Sequence, residues 1–128
     1  MNYGYKRVVT KSFDEVNQKI RNTLQEKGFG VLTEINVKDT LRKKLDVDFK
    51  KYIILGACNP PIAHRALSAD NGVGLLLPCN VVLWENEDGS TTVAAINAQK
   101  MLAITGLDGL DEMAGKVNDL LRQAVDAV

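Results

Sequence analysis

The chain has one histidine, two cysteines, three prolines and one tryptophan among 128 residues, and each scarcity excludes something. Cys58 and Cys79 lie 21 positions apart without a CxxC pairing. Two sulfur ligands so placed are too few for a structural zinc site, and no metal is implied. No apolar run approaches the roughly 20 residues of a membrane-crossing helix, and "MNYGYKRVVT" has no apolar signal core. A cytoplasmic protein with no membrane partner is expected, its cysteines reduced. No charge sign dominates: sixteen basic residues balance sixteen acidic ones. The net field therefore steers toward neither nucleic acid nor a basic partner. "GFG" and "GVG" lack the GxGxxG pattern and the Lys-Ser/Thr ending of phosphate loops, so no cofactor is implied either.

What is present is ordinary globular composition, 45% apolar and 25% charged. One domain spanning 1–128 is expected, long enough to bury a core without disulfide or metal staples. "GYKRVVT" reads as a first strand. "SFDEVNQKIRNTLQEKGFG" reads as a helix: Ser12 caps it, with Glu15 completing a capping box. Phe13, Val16, Ile20 and Leu24 form its apolar stripe. Gly28 ends it in a Schellman turn that lets Phe29 pack back on Leu24.

A strand is expected from Phe29 to Val37, with Val31, Thr33, Ile35 and Val37 on one face and Leu32, Glu34 and Asn36 on the other. "DTLRKKL" reads as a short helix capped by Asp39. "KYIILGAC" is a third strand, whose nearly continuous apolar run suggests burial on both faces or a central place. "PPIAHRALSA" makes a short helix closed by Asn71-Gly72. "VGLLLPCNVVLWE" reads as a long fourth strand, turned by "EDGS" into a fifth, "TTVAAIN". A last helix is expected from Asp108, striped by Leu110, Met113, Ala114, Val117, Leu120, Leu121, Ala124 and Val125. Short connections between strands imply an antiparallel sheet. The expected fold is α+β, a two-layer sandwich with about five strands in the order β-α-β(4)-α and short inserted helices.

The segments "GACNPPIAHRAL" and "LLLPCNVV" carry a family resemblance. With their surroundings, from the first strand into the final helix, the chain resembles the prokaryotic family called domain of unknown function 302. The resemblance implies a small α+β domain of TATA-binding-protein-like topology and brings no settled activity with it. Two positions depart from that family's pattern. Asp46 stands where a glycine usually follows the "TLRKKL" helix; aspartate tolerates the left-handed conformation, so the turn is expected to be kept. Asn97-Ala98 replaces a common aspartate–proline pair, which leaves no carboxylate there to act.

The chemistry-bearing residues gather around the cysteines. Asn59 is placed to cap a helix whose first position suits Pro60. Cys58 then sits just before a helix N-terminus, where partial positive charge favours a thiolate; equally, it can be a small apolar residue closing a buried strand. Cys79 alternates with Leu75, Leu77, Val81 and Leu83 on an apolar face, opposite Pro78 and Asn80. A mid-strand Pro78 implies an edge strand or a bulge. His64 lies about one and a half turns into its helix, an unnatural distance for a dyad with Cys58. Glu34 is a carboxylate in an apolar strand, suited to binding or to simple exposure. The basic run Arg42–Lys44 with Lys50 and Lys51 reads as a solvated face, since no stacking aromatics are interleaved with it.

Three functions fit this inventory. The first is a small-ligand-binding or regulatory domain with Cys58, Asn59, His64 and Asn80 at the pocket mouth. The second is a thiol enzyme with Cys58 as nucleophile, Cys79 as resolving thiol and His64 as acid/base group. The third is self-association as a homodimer, through a sheet edge or the face bearing Trp84. Nucleic-acid binding by fold analogy is the weakest.

Overall fold

The computed structural model describes all of residues 1–128. The fold is α+β, with five strands in one antiparallel sheet. The strands are β1 (Gly4–Val9), β2 (Gly30–Asn36), β3 (Tyr52–Cys58), β4 (Cys79–Glu85) and β5 (Thr91–Ile96), arranged β1-β5-β4-β3-β2. The helices are α1 (Phe13–Glu26), α2 (Val37–Leu45), α3 (Pro60–Ala69), α4 (Ala98–Ala103) and α5 (Asp111–Asp126), with a 3-10 helix over Asn71–Leu76.

Local signals place α1 as its sequence suggests. Ser12 Oγ accepts from the Glu15 N–H at 3.2 Å. The return half of the box differs, because Ser12 Oγ itself reaches the Glu15 carboxylate. At the other end Gly28 has φ +86°, and the N–H groups of Gly28 and Phe29 donate to the carbonyls of Gln25 and Leu24. These are the two bonds of a Schellman motif, and Phe29 is buried with Leu24. Asp46 takes the left-handed conformation, φ 51°, so the turn after α2 is kept without glycine.

Four expectations need correction. The cap of α2 is Asn36, whose Oδ1 accepts from the Asp39 N–H at 3.1 Å; β2 therefore ends at Asn36 and Val37 is already helical. A bulge between Val31 and Thr33 leaves Leu32 unpaired, shifting every later side chain by one face. Val31 consequently packs against the core while Thr33 and Ile35 turn the other way. The fourth strand is shorter than "VGLLLPCNVVLWE": the Asp70 carboxylate accepts from the Gly72 N–H and starts the 3-10 helix, leaving Leu75 91% exposed. Pro78 follows a cis bond and precedes β4, so the strand at the centre of the sheet contains no proline. Finally, α5 begins at Asp111 because Gly106 and Gly109, both at positive φ, keep the preceding segment out of helix. An unforeseen short helix, α4, stands before it.

The core lies on one side of the sheet. Val16, Ile20 and Leu24 of α1 and Met113, Val117 and Leu121 of α5 pack on Leu55, Val81, Leu83 and Val93. Burying each such side chain contributes about 1.5–3 kcal/mol. On the opposite side the same strands carry three rows. Lys6, Ala94, Val82, Ile54 and Ile35 form the middle row; Val8, Thr92, Trp84 and Tyr52 lie at one end. Gly4, Ile96, Asn80, Gly56 and Thr33 lie at the other. No helix covers them. The apolar run of β3 thus reflects an apolar uncovered face, and β3 lies between β4 and the edge strand β2.

Candidate functional site

The six residues singled out from sequence fall in four places. Cys58 ends β3, and Asn59 caps α3 with its Oδ1 accepting from the Ile62 N–H at 3.3 Å. Pro60 and Pro61 occupy the first helical positions, where missing N–H groups cost nothing. Because Ala57 pairs with Cys79 across β3 and β4, the two cysteines are neighbours at one end of the sheet. Cys58, Asn59 and Cys79 line one small space, about 30 Å³, walled mainly by apolar groups such as Phe29, Ile62 and Leu102. It has room for about a water molecule and not for a metabolite.

Cys79 is buried, and Cys58 is partly so. Burial, reinforced by the neighbouring Cys58, pushes the Cys79 thiol up to about 11. It stays protonated at neutral pH and behaves as a small apolar residue. The structure does not bring the other three residues here. His64 is exposed on α3 and does not line this space. Asn80 faces the uncovered side of the sheet. Glu34 sits on the helix side of β2, where its carboxylate meets Arg21 of α1 at 2.9 Å. No three His, Cys, Asp or Glu side chains converge in a way that would hold a metal ion.

A larger cleft, about 280 Å³, opens on the uncovered face. Tyr52 and Trp84, opposite each other on β3 and β4, stack with ring centroids 5.6 Å apart and planes 10° from parallel. Together with Val82, Ala94, Ile96, Tyr3 and Met1 they form an apolar wall, and Asn80 supplies an amide. Desolvation raises the Tyr52 phenol above its ordinary value, so it remains a neutral donor. Of the earlier candidates only Asn80 belongs to this cleft. The signal for it was present in the alternation of Tyr52 with Ile54 and of Val82 with Trp84. Reading it required knowing that one sheet face lacks a helical layer.

Another cleft, about 340 Å³, lies between the ends of β1 and β5 and the helices α4 and α5. Its polar wall is engaged internally. Asn118 accepts from the Ala98 N–H at 2.6 Å and donates to Asn97 and Gln99, while Asn97 caps α4. Asn97, one of the two positions that depart from the family pattern, caps α4 with its Oδ1 accepting from the Lys100 N–H at 3.1 Å. Asn118 had no sequence signal, because its partners lie about twenty positions away.

Comparison with known proteins agrees with the fold. Residues 5–128 match the family model described as Domain of unknown function DUF302. The chain is also similar to a crystal structure of an uncharacterized conserved DUF302 protein from Bacillus stearothermophilus. The two share 27% identity over 99% of this chain and 98% of that one, with a TM-score of 0.91. No curated protein matches the chain. No helix is long and apolar enough to cross a membrane.

Proposed function

We propose, from the premise that the chain belongs to the DUF302 family, that it is a small-ligand-binding module whose site is the Tyr52–Trp84 cleft. The observation that carries this reading is the stacked aromatic pair beside a cleft of about 280 Å³, mostly apolar with one amide at Asn80. Small-molecule sites have this composition: apolar and aromatic walls with few, placed polar groups. The flat ring surfaces suit a planar, largely apolar molecule, which Asn80 can orient by donating and accepting hydrogen bonds. No cysteine, histidine or carboxylate lines the cleft, which favours binding over catalysis.

The only tryptophan of the chain lies in the site, so it reports occupancy directly. With 8-anilinonaphthalene-1-sulfonate as probe, energy transfer from Trp84 should saturate at one probe per chain. Tyr52→Ala keeps the Trp84 donor and removes half the stack. It should weaken binding about tenfold, as expected for a lost aromatic contact and its buried area. Transfer that never saturates, or that Tyr52→Ala leaves unchanged, would refute the reading.

A second reading rests on the shared space of Cys58 and Cys79. In a thiol-dependent activity the partly exposed Cys58 acts as nucleophile and Cys79 as its partner. Alkylation of the native protein tests it. If neither thiol reacts below pH about 8.5, the reference value for a free thiol, this reading fails.

A further inference from the structure

The cleft between the ends of β1 and β5 and the helices α4 and α5 carries charge of one sign. Lys100 of α4 and Arg122 of α5 both line it, and no carboxylate does. In a chain with equal numbers of acidic and basic residues, a concave space with two cations and no anion stands apart. Neither cation forms an ion pair: the three salt bridges of the chain use Arg21, Lys38 and Arg42. Asp126, one turn along α5 from Arg122, is engaged elsewhere. Its Oδ1 accepts from the Tyr5 hydroxyl at 2.6 Å.

The hydrogen bonds within the wall consume acceptors and leave donors. Asn97 Oδ1 accepts twice, from the Lys100 N–H at 3.1 Å and from Asn118 Nδ2 at 3.0 Å. Those bonds fix the Asn97 amide and turn its Nδ2 away from them. No buried side-chain nitrogen or oxygen lacks a partner, so this unpaired Nδ2 is open to solvent. The Lys100 ammonium and the Arg122 guanidinium are exposed donors as well.

Arg122 is held in place. Its guanidinium lies over the Tyr5 ring, 5.1 Å from the centroid, within cation–π range. The hydroxyl bond to Asp126 fixes that ring in turn. A guanidinium stacked by its face keeps its N–H edge free for paired bonds to an oxyanion, and less freedom is lost on binding. Asn118 of α5, bonded to Asn97, Gln99 and the Ala98 N–H, ties the two cation-bearing helices together.

From these features we infer that this cleft binds a small metabolite through its oxyanion group, a phosphate or a carboxylate. Arg122 and Lys100 supply the charge, and Asn97 Nδ2 supplies a neutral donor. A volume of about 340 Å³ is at the small end of metabolite pockets. The inference goes beyond the aromatic-cleft reading and stands without it. The two clefts meet only at Met1, Gly4, Ala95 and Ile96; the stacked rings line one and the cations line the other.

Isothermal titration calorimetry on the full-length protein at low ionic strength tests the inference. The probes are glycerol 3-phosphate and succinate, with glycerol as the uncharged control. At least one anion should saturate at one per chain below about 10 mM and weaken as sodium chloride is raised. Glycerol should not bind. The anion that binds more tightly assigns the group as phosphate or carboxylate.

Arg122→Gln removes the guanidinium from an exposed position and should weaken binding about tenfold or more. Asn97→Asp keeps an Oδ1 to cap α4 but replaces the free donor by a carboxylate oxygen. It should abolish binding with unchanged far-ultraviolet circular dichroism. Should that variant unfold, Arg122→Gln decides. The inference is overturned if neither anion saturates, if glycerol binds as well as they do, or if a folded variant binds like the wild type. Tyr52→Ala should leave anion binding unchanged; a loss there would place the anion in the aromatic cleft and overturn the inference. Neither probe is aromatic, so failure here and failure of the aromatic-cleft reading are separable.

Discussion

On β4, Val81 and Leu83 are fully buried under the helical layer, while Val82 and Trp84, one residue along, remain partly exposed. The two sets are almost equally apolar. What separates them is cover: α1 and α5 supply apolar stripes to one side of the sheet and nothing in the chain supplies a stripe to the other. The Cys58–Cys79 end belongs to the covered side, and its chemistry is correspondingly muted. The aromatic cleft belongs to the uncovered side, where apolar side chains remain available to a ligand or a partner. Reactive residue types therefore mark the less available region here, and bland ones mark the more available region.

Removing a side chain from each face gives the sharpest contrast. Leu83→Ala should destabilise by about 2–5 kcal/mol through lost burial and the cavity left behind. Val8→Ala should cost under about 0.5 kcal/mol, as for an ordinary surface change. Urea unfolding of both variants at low protein concentration measures the difference. Equal losses would mean that the faces are not distinct.

The covered thiol provides the next largest effect. Burial pushes the folded-state Cys79 thiol up to about 11, above its ordinary value, so folding favours the protonated form. Its stabilisation is complete below pH 9 and is lost as pH rises through 11, because the unfolded chain ionises first. The loss is on the order of 2 kcal/mol. Chemical denaturation at pH 8 and pH 11 should show it, and Cys79→Ala should remove that part of the fall.

Gly56 probes the rim between the faces. A methyl group there would run into the side chains of Thr33 and Pro78, which lie over this glycine. Gly56→Ala should cost about 1–3 kcal/mol by overpacking, measured by thermal unfolding. Thr33→Ala in the same chain should recover part of it.

The smallest effect is at the β2 edge. The Arg21–Glu34 pair is about half-exposed on the carboxylate side. Glu34→Gln should cost about 0.2–1 kcal/mol, shrinking further in high salt. A larger loss would give Glu34 a role beyond this surface contact.

Legibility followed the range of the interactions. Ser12, Gly28, Asn59 and the α5 stripe were readable because their partners lie within a turn or two. The α2 cap was misplaced by a competition that is also local: Asn36 and Asp39 can both cap, and β2 ends early enough for Asn36 to win. The fourth strand was overextended because "VGLLL" has an apolar composition that suits a strand or a buried turn equally. The Asp70 carboxylate and two glycines decide for the turn. Among site residues, the neighbouring places of Cys58 and Cys79 and the opposite faces of Cys79 and Asn80 could be read from sequence, whereas which of those faces lacks helices could not. A pair of residues adjacent in the chain, Cys79 and Asn80, ends on opposite faces.

By itself the amino-acid sequence determined the order of the strands and of the two long helices, the caps of α1 and α3, the α+β class and the likeness to the DUF302 family. All of these depend on spacing along the chain and on the conformational preferences of single residues. Only the tertiary structure decided which face of the sheet receives helices, that β4 is its centre, and that Tyr52 and Trp84 stack on the side left open. Alternation within a strand says that two faces exist. Which of them is buried depends on where helices from distant parts of the chain come to rest.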